Sequence, residues 1–278
     1  MAQTGTITWS PTEEQRRKSR LWSFMQWVAE HHSVQTTTYR EILRWSVEET
    51  PAFWGAVREY FDVLGDEFDG PVLPSEDMPS ASWFPDARLN FAENLLRHAK
   101  NPKLADEAAI INIDEDNSVS SITWRQLETQ AANLAGHLDR LGVVPGDVVA
   151  AVLPNIAEAI IGLLATTSIG AIWTINSPDL SAAATLDRIR QLEPKILLGT
   201  EGYRFNGKDI DQTSNLAAIE DGLQGLISTI VVRGPGKSAP GVAPATAGTT
   251  RLYFEDLTTG EATPSYRRLP FALSVIHI

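Results

Sequence analysis

Apolar residues recur every three or four positions over roughly the first sixty residues, which predicts helices, and give way after residue 106 to short continuous apolar runs. Leu21, Phe24, Met25 and Val28 form one helical stripe. Phe53, Val57, Phe61 and Leu64 form another, opened by Thr50-Pro51 as cap and first helical residue and stopped by Gly65. Residues 65–82 carry Gly65, Gly70, Pro71, Pro74 and Pro79 and read as a loop crossing between substructures. Asn90 followed by Glu93 predicts a capping box and a short helix through about Ala99, with Phe91, Leu95 and Leu96 facing the core.

Beyond Asp106 the period shortens. Ala109–Ile113 and Val119–Thr123, separated by Asp114-Glu115-Asp116-Asn117, predict a β-hairpin. Thr123 and Gln126 form a second capping box, for a helix whose buried stripe is Leu127, Ala131, Leu134, Leu138 and Leu141 and which Gly142 ends. Apolar strands at 148–153, 171–175, 196–198 and 227–232 then alternate with helices at 156–169, 181–192 and 215–223. Continuous apolar strands alternating with helices imply a sheet buried on both faces. The fold class is therefore α/β, a helical N-terminal region followed by a partial doubly wound, mostly parallel sheet. Residues 233–250 are rich in Gly, Pro, Ala and Thr without apolar period and read as a flexible loop.

Composition narrows the function. The 278 residues hold 23 Lys+Arg against 35 Asp+Glu, a formal net charge of −12, so nucleic acid would be repelled. The absence of Cys excludes disulfides, thiolate metal sites and a Cys nucleophile, and fits a reducing compartment, so a cytoplasmic location is expected. The longest apolar stretch, Val143 to Ile175, is broken by Pro145, Asp147, Pro154, Asn155 and Glu158, so no membrane span is expected. Neither a secretory leader nor a C-terminal address is apparent.

Most isolated motifs dissolve on inspection. Gly236-Lys237-Ser238 imitates the end of a phosphate-binding loop, but Val231 stands where that loop needs Gly and no helix follows. His31, His32, His98, His137 and His277 lack the spacing of metal-ligand pairs and read as surface residues. No Ser sits in a nucleophile elbow. Asp114, Glu115 and Asp116 read as a solvated acidic turn. Trp9, Trp22, Trp27, Trp45, Trp54 and Trp83 supply apolar area to the helical layer.

The string Ser82-Trp83-Phe84-Pro85-Asp86-Ala87-Arg88-Leu89-Asn90-Phe91-Ala92-Glu93-Asn94-Leu95-Leu96 is more specific. It resembles the leading segment of the acetyl-CoA synthetase and acetoacetyl-CoA synthetase branch of the AMP-forming acyl-CoA ligases, and the acetoacetyl member more closely. Supporting strings are Gly142-Val143-Val144-Pro145-Gly146-Asp147, Leu153-Pro154-Asn155, Gly170-Ala171-Ile172-Trp173, Asn176-Ser177-Pro178-Asp179 and Gly202-Tyr203-Arg204-Phe205-Asn206-Gly207-Lys208. The resemblance runs from about Trp9 to Phe271. It implies a helical acetyl-CoA-synthetase-type region over 1–105, part of an AMP-binding domain over 106–271, and an unrelated tail over 272–278.

That family uses ATP, Mg²⁺ and coenzyme A. A carboxylate, here acetoacetate or another short acyl acid, becomes an acyl-adenylate that the coenzyme A thiol then attacks. A Ser/Thr/Gly-rich loop ending in Lys and a Lys of a C-terminal domain are needed. Thr246-Ala247-Gly248-Thr249-Thr250 superficially resembles that loop, but Arg251 replaces Gly and no Lys follows. The chain is thus expected to match the portion of such a ligase before its catalytic loop, to be inactive alone with no catalytic residue, and to bind none of these molecules tightly. An incomplete sheet predicts self-association or aggregation. A non-catalytic fragment pairing with a full-length ligase is the alternative, and a domain binding an unrelated nucleotide a third. Family relatives place basic residues near Glu-Gly-x-Arg on the nucleotide phosphates of coenzyme A. Glu201-Gly202-Tyr203-Arg204 matches, making Arg204 a candidate and Lys208 a looser one, while solvated residues on a loop after a strand remain the open alternative.

Overall fold

The computed structural model of the protein describes residues 8–75, 77, 79–235 and 249–271. Two compact units form, Met1–Val63 with Gly70–Pro85, and Leu64–Asp69 with Asp86–Ile278. The first holds α1 (Glu13–Arg17), α2 (Arg20–His31), α3 (Tyr39–Glu48) and α4 (Thr50–Tyr60). Thr12 and Thr38 close reciprocal capping boxes with Gln15 and Glu41, satisfying amides that a helix start leaves unpaired. Phe24, Met25, Val28, Ile42, Trp45 and Ala56 are buried together. Phe24 meets Tyr60 edge-on at 5.1 Å, and Trp45 meets Phe53 at 5.6 Å.

Some local expectations fail here. Leu21 and Phe61 are exposed, as are Trp9 and Trp54, so the apolar stripes are wider than the face that is covered. Thr50 is the first helical residue and Glu49 the cap. Helix α4 ends four residues ahead of Leu64. Asp62 takes the left-handed conformation usually given to Gly (φ 47°), and Val63 N–H closes back on the Arg58 carbonyl at 3.1 Å. Gly65 is consequently a strand residue and no helix stop.

In the second unit, β1 (Gly65–Asp66), β2 (Arg88–Leu89) and α5 (Phe91–Leu96) precede the hairpin β3 (Ala108–Ile113) and β4 (Val119–Thr123) and the long α6 (Trp124–Arg140). Then come β5 (Val148–Val152), α7 (Ala157–Ser168), β6 (Ile172–Asn176), α8 (Ala182–Ile189) and β7 (Ile196–Thr200). A small hairpin, β8 (Gly202–Phe205) and β9 (Lys208–Asp211), leads to α9 (Thr213–Gly222), β10 (Ser228–Val232), β11 (Thr250–Tyr253), α10 (Phe254–Thr258) and β12 (Leu269–Pro270). Among the described residues the main sheet has the order β11-β10-β7-β5-β6, every pairing parallel.

Burial on both faces follows from the two-residue period. Val149 and Ala151 enter one core with Ile161, Leu164, Leu134 and Leu138, while Ala150 and Val152 enter the other with Ile189, Leu216 and Ile219. The structure thus has the α/β class expected. No helix among the described residues is long and apolar enough to cross a membrane.

Asn90 explains part of the distinctive leading string. Its Oδ1 accepts the Glu93 amide, and its buried Nδ2 faces the carbonyls of Thr167, Ser168 and Arg267 at 2.9, 3.0 and 2.9 Å. The expected capping box is only half made, because Glu93 turns to Arg268 at 2.8 and 2.7 Å. Arg268 also reaches Asp66 at 2.5 Å, and β12 pairs with β2. Leu96 is buried but Leu95 is exposed, a correction to the expected stripe. Because α5 packs on α7, residues 86–105 belong to the unit that holds the sheet and not to that of the first four helices. The expected flexible loop falls mostly outside the described residues, as does the tail after Phe271.

Candidate functional site

The chain leaves β5 for β6 on one side and then crosses to β7 on the other, so the sheet has its switch point between β5 and β7. Crevices outside the carboxyl ends of such strands are where open α/β sheets bind ligands. A cavity of about 650 Å³ lies there. Pro154 and Asn155 line it beyond β5, Thr200 at the end of β7, and Val232 at the end of β10. The β3–β4 turn and the β8–β9 hairpin supply its charged walls, with Glu115, Asp116 and Arg204.

Arg204 does not lie on a loop after a strand, the placement that went with the solvated alternative. It sits in β8, and Asp209 is its cross-strand partner in β9. The β8–β9 turn is Asn206-Gly207 with φ of 50° and 71°, a two-residue loop with both residues left-handed, as a type I′ hairpin requires. Gly202 is needed for closeness, because a Cβ there would stand 2.6 Å from the Ile210 carbonyl oxygen. The Asn-Gly dipeptide between Phe205 and Lys208 was the sequence signal for this hairpin.

The guanidinium of Arg204 donates from Nε and Nη2 to the two oxygens of Asp209 at 2.8 and 3.3 Å, and its Nη1 lies 3.9 Å from Asp116. These bonds hold Arg204 more firmly protonated and push the Asp209 carboxyl below its ordinary value. Lys208 is exposed and pairs in register with Phe205. Since adjacent strand residues point to opposite faces, Arg204 and Lys208 project from opposite sides of the ribbon. One phosphate could not be gripped by both.

Two links to this hairpin were not read from the sequence. Tyr203 donates its hydroxyl to Asp179 at 2.5 Å, tying the loop after β6 to β8 and pushing the phenol up to about 12. Glu115, expected to be merely solvated, accepts the backbone amides of Asn206 and Gly207 at 2.8 Å each. Those two amides, Gly207 first, hold its carboxyl below the usual range. The site therefore offers a phosphate one guanidinium with two of its five N–H donors already used by Asp209, amid the carboxylates of Asp116 and Glu115.

Residues 249–253 answer the suggestion of a triphosphate loop. Thr250–Tyr253 forms β11, and the Arg251 guanidinium meets the fully buried Glu220 carboxylate from Nε at 2.9 and 3.2 Å and from Nη2. Thr246–Gly248 and Gly236-Lys237-Ser238 lie outside the described residues. The histidines were expected on the surface, yet only His31 of the described four is exposed, and even it stacks on Trp27 at 4.6 Å. His98 packs on Trp124 at 4.9 Å, and burial, with Arg140 nearby, lowers the His137 pKa because the charged imidazolium loses hydration. His277 is outside the described residues. No group of three or more His, Asp or Glu among the described residues could hold a metal ion.

Comparison with known proteins gives this geometry a context. Residues 39–95 match the acetyl-coenzyme A synthetase N-terminus family, and residues 96–255 match the AMP-binding enzyme family. The acetoacetyl-coenzyme A synthetase of Rhizobium meliloti (strain 1021) is 37% identical over 265 residues, covering 95% of this chain and 39% of the relative. Malonamoyl-CoA synthetase vrtB of Penicillium aethiopicum is 32% identical over 220 residues, covering 78% of this chain and 30% of the relative. The solved structure of acetoacetyl-CoA synthetase from Streptomyces lividans superposes with a TM-score of 0.88 at 39% identity, over 95% of this chain and 40% of that one. The chain spans about 40% of the length of the acetoacetyl-CoA synthetases quoted.

Proposed function

The chain belongs to the AMP-binding enzyme family, and from that premise we propose that it is the N-terminal part of an acetoacetate-CoA ligase. The reaction is ATP + acetoacetate + coenzyme A giving AMP, diphosphate and acetoacetyl-CoA. The observation that carries this is the 0.88 TM-score at 39% identity over 95% of the chain with an acetoacetyl-CoA synthetase. The malonamoyl-CoA synthetase among the relatives points the same way, because malonamoyl and acetoacetyl are both short acyl groups with a carbonyl at the third carbon. A short 3-oxo acid is therefore the substrate class, and the cytoplasm the proposed location.

ATP and Mg²⁺ supply the activated phosphate in such a reaction, and coenzyme A the thiol. These 278 residues contribute a five-stranded parallel sheet and Arg204, but no Ser/Thr/Gly-rich loop ending in Lys. By themselves they hold none of the three molecules tightly and form no acyl-adenylate. Arg204 is assigned to a phosphate of the coenzyme A nucleotide, and Lys208, on the far side of the ribbon, to another part of that extended ligand.

The test joins residues 1–271 to the remaining part of the Streptomyces lividans synthetase. The hybrid is expected to form AMP in the presence of acetoacetate and coenzyme A, while the 278-residue chain shows no acid-dependent exchange of ATP with pyrophosphate. A folded hybrid that activates acetate in preference to acetoacetate would sink the substrate assignment. Arg204→Ala in the hybrid should raise the KM for coenzyme A about tenfold, the loss of a charge-assisted contact, and leave adenylation intact.

A non-catalytic role, pairing with another copy or with a full-length ligase, is favoured by one feature. Strand β6 pairs only with β5 among the described residues, and Ile175 on it is 45% exposed. Sedimentation of the chain as a free monomer, both at high concentration and when mixed with a full-length ligase, would eliminate that role.

A further inference from the structure

We propose that the β8–β9 turn is an anion receptor latched by the protein's own Glu115, and that a phosphate group of a nucleotide ligand binds there by exchanging with that carboxylate. This rests on the assignment of Arg204 to a nucleotide phosphate, and it names what must move before Arg204 can act.

The two amides that Glu115 holds belong to the turn itself. Asn206 and Gly207 are both left-handed, and their N–H groups converge on one carboxylate at 2.8 Å each. Successive amides presented in this way form an anion-binding concavity. An Asn-Gly type I′ turn is among the most self-sufficient hairpin connections, so it needs no external carboxylate to keep its shape. The Glu115 contact is therefore separable from the hairpin's folding, as an exchangeable ligand must be.

Position adds to this. Glu115, Asp116, Tyr203 and Arg204 all line the same cavity of about 650 Å³ at the switch point of the sheet. A phosphate taking the place of Glu115 would reach the turn amides and lie beside the guanidinium. Arg204 retains three N–H donors beyond the two given to Asp209. With Glu115 in place, an arriving phosphate meets a filled receptor and an additional negative charge. Glu115 depresses anion affinity while closed, and its release opens the receptor.

The test titrates the whole 278-residue chain with coenzyme A into the millimolar range, where weak binding is measurable, and follows amide ¹⁵N–¹H spectra. In the wild type the Asn206 and Gly207 amides should shift on binding. Glu115→Ala and Glu115→Gln should each tighten binding about fivefold or more, because a competing charged acceptor is removed. Inorganic phosphate, titrated alone, should move the same two amides, which locates the effect at phosphate and not at the adenine or pantetheine.

Unchanged affinity in both Glu115 variants overturns the latch, as does binding that leaves both amides in place, or spectra of wild type and variants alike that stay unmoved at millimolar coenzyme A. Arg204→Ala separates the two assignments. If it abolishes binding while the Glu115 variants are neutral, Arg204 stands and the latch falls. If the Glu115 variants tighten binding and Arg204→Ala does nothing, the latch stands and the Arg204 assignment falls.

Discussion

Two arginines of the second unit each face a carboxylate, and their surroundings give them opposite roles. Arg251 on β11 meets Glu220 on α9 with side chains 7% and 0% exposed, whereas Arg204 and Asp209 on the β8–β9 hairpin are 43% and 51% exposed. The buried pair fastens a strand at the end of the sheet to the helix beneath it. Neither charge can be left alone there, because no water replaces the lost partner. The exposed pair is screened by water and salt, so either partner can be replaced at little cost. Fork geometry alone therefore says little about purpose; burial decides it.

The largest effect is expected from breaking the buried pair. Glu220→Ala should lower stability by about 3–5 kcal/mol in urea denaturation, since it strands the Arg251 guanidinium in the core. The joint replacement Arg251→Met with Glu220→Leu should recover most of that loss. If the double variant were as unstable as the single one, packing and not unpaired charge would be the cause.

Asn90→Ala comes next, at about 2 kcal/mol, because it removes a helix cap and the donor shared by three carbonyls. At the exposed hairpin, Asp209→Asn should leave the denaturation midpoint almost unmoved, and any difference should fade in high salt. A large, salt-insensitive loss would show the hairpin pair to be structural after all.

A separate, pH-dependent effect concerns Glu41, half-buried at a helix start. The Thr37 hydroxyl, then the Thr37 and Thr38 amides, hold its carboxyl at about 2 against an ordinary 4.5. A lowered folded value means the contribution is complete above pH 4.5 and disappears as pH falls toward 2. Carboxyl ¹³C titration should place the Glu41 midpoint near 2, with α3 fraying over the same window. A midpoint near 4.5 would mean the capping box does not persist in solution.

Much of the α/β framework was legible because its signals are local. Thr123 and Gln126 close their box, and Leu127, Ala131, Leu134 and Leu138 make the buried stripe of α6. The apolar runs of β5, β7 and β10 become strands buried on both faces. Helix α4 was misjudged at its end, since a left-handed Asp62 did what Gly142 and Gly170 do after α6 and α7. The site was less legible still. Glu115 and Asn206 are 91 residues apart, and no period or spacing announces that one accepts from the other.

The sequence by itself determined where α6 begins, the buried strands β5, β7 and β10, the class of the sheet and the family resemblance, because capping, periodicity and motif strings are written within a few residues. Only the tertiary structure decided which charges face one another. It set Arg251 against Glu220, aimed Asn90 at three distant carbonyls, put Arg204 and Lys208 on opposite faces and closed Glu115 over the β8–β9 turn. Such contacts depend on how the packed elements bring remote side chains within 3 Å, and on how much water is excluded there, and neither quantity is carried by the order of residues along one stretch of chain.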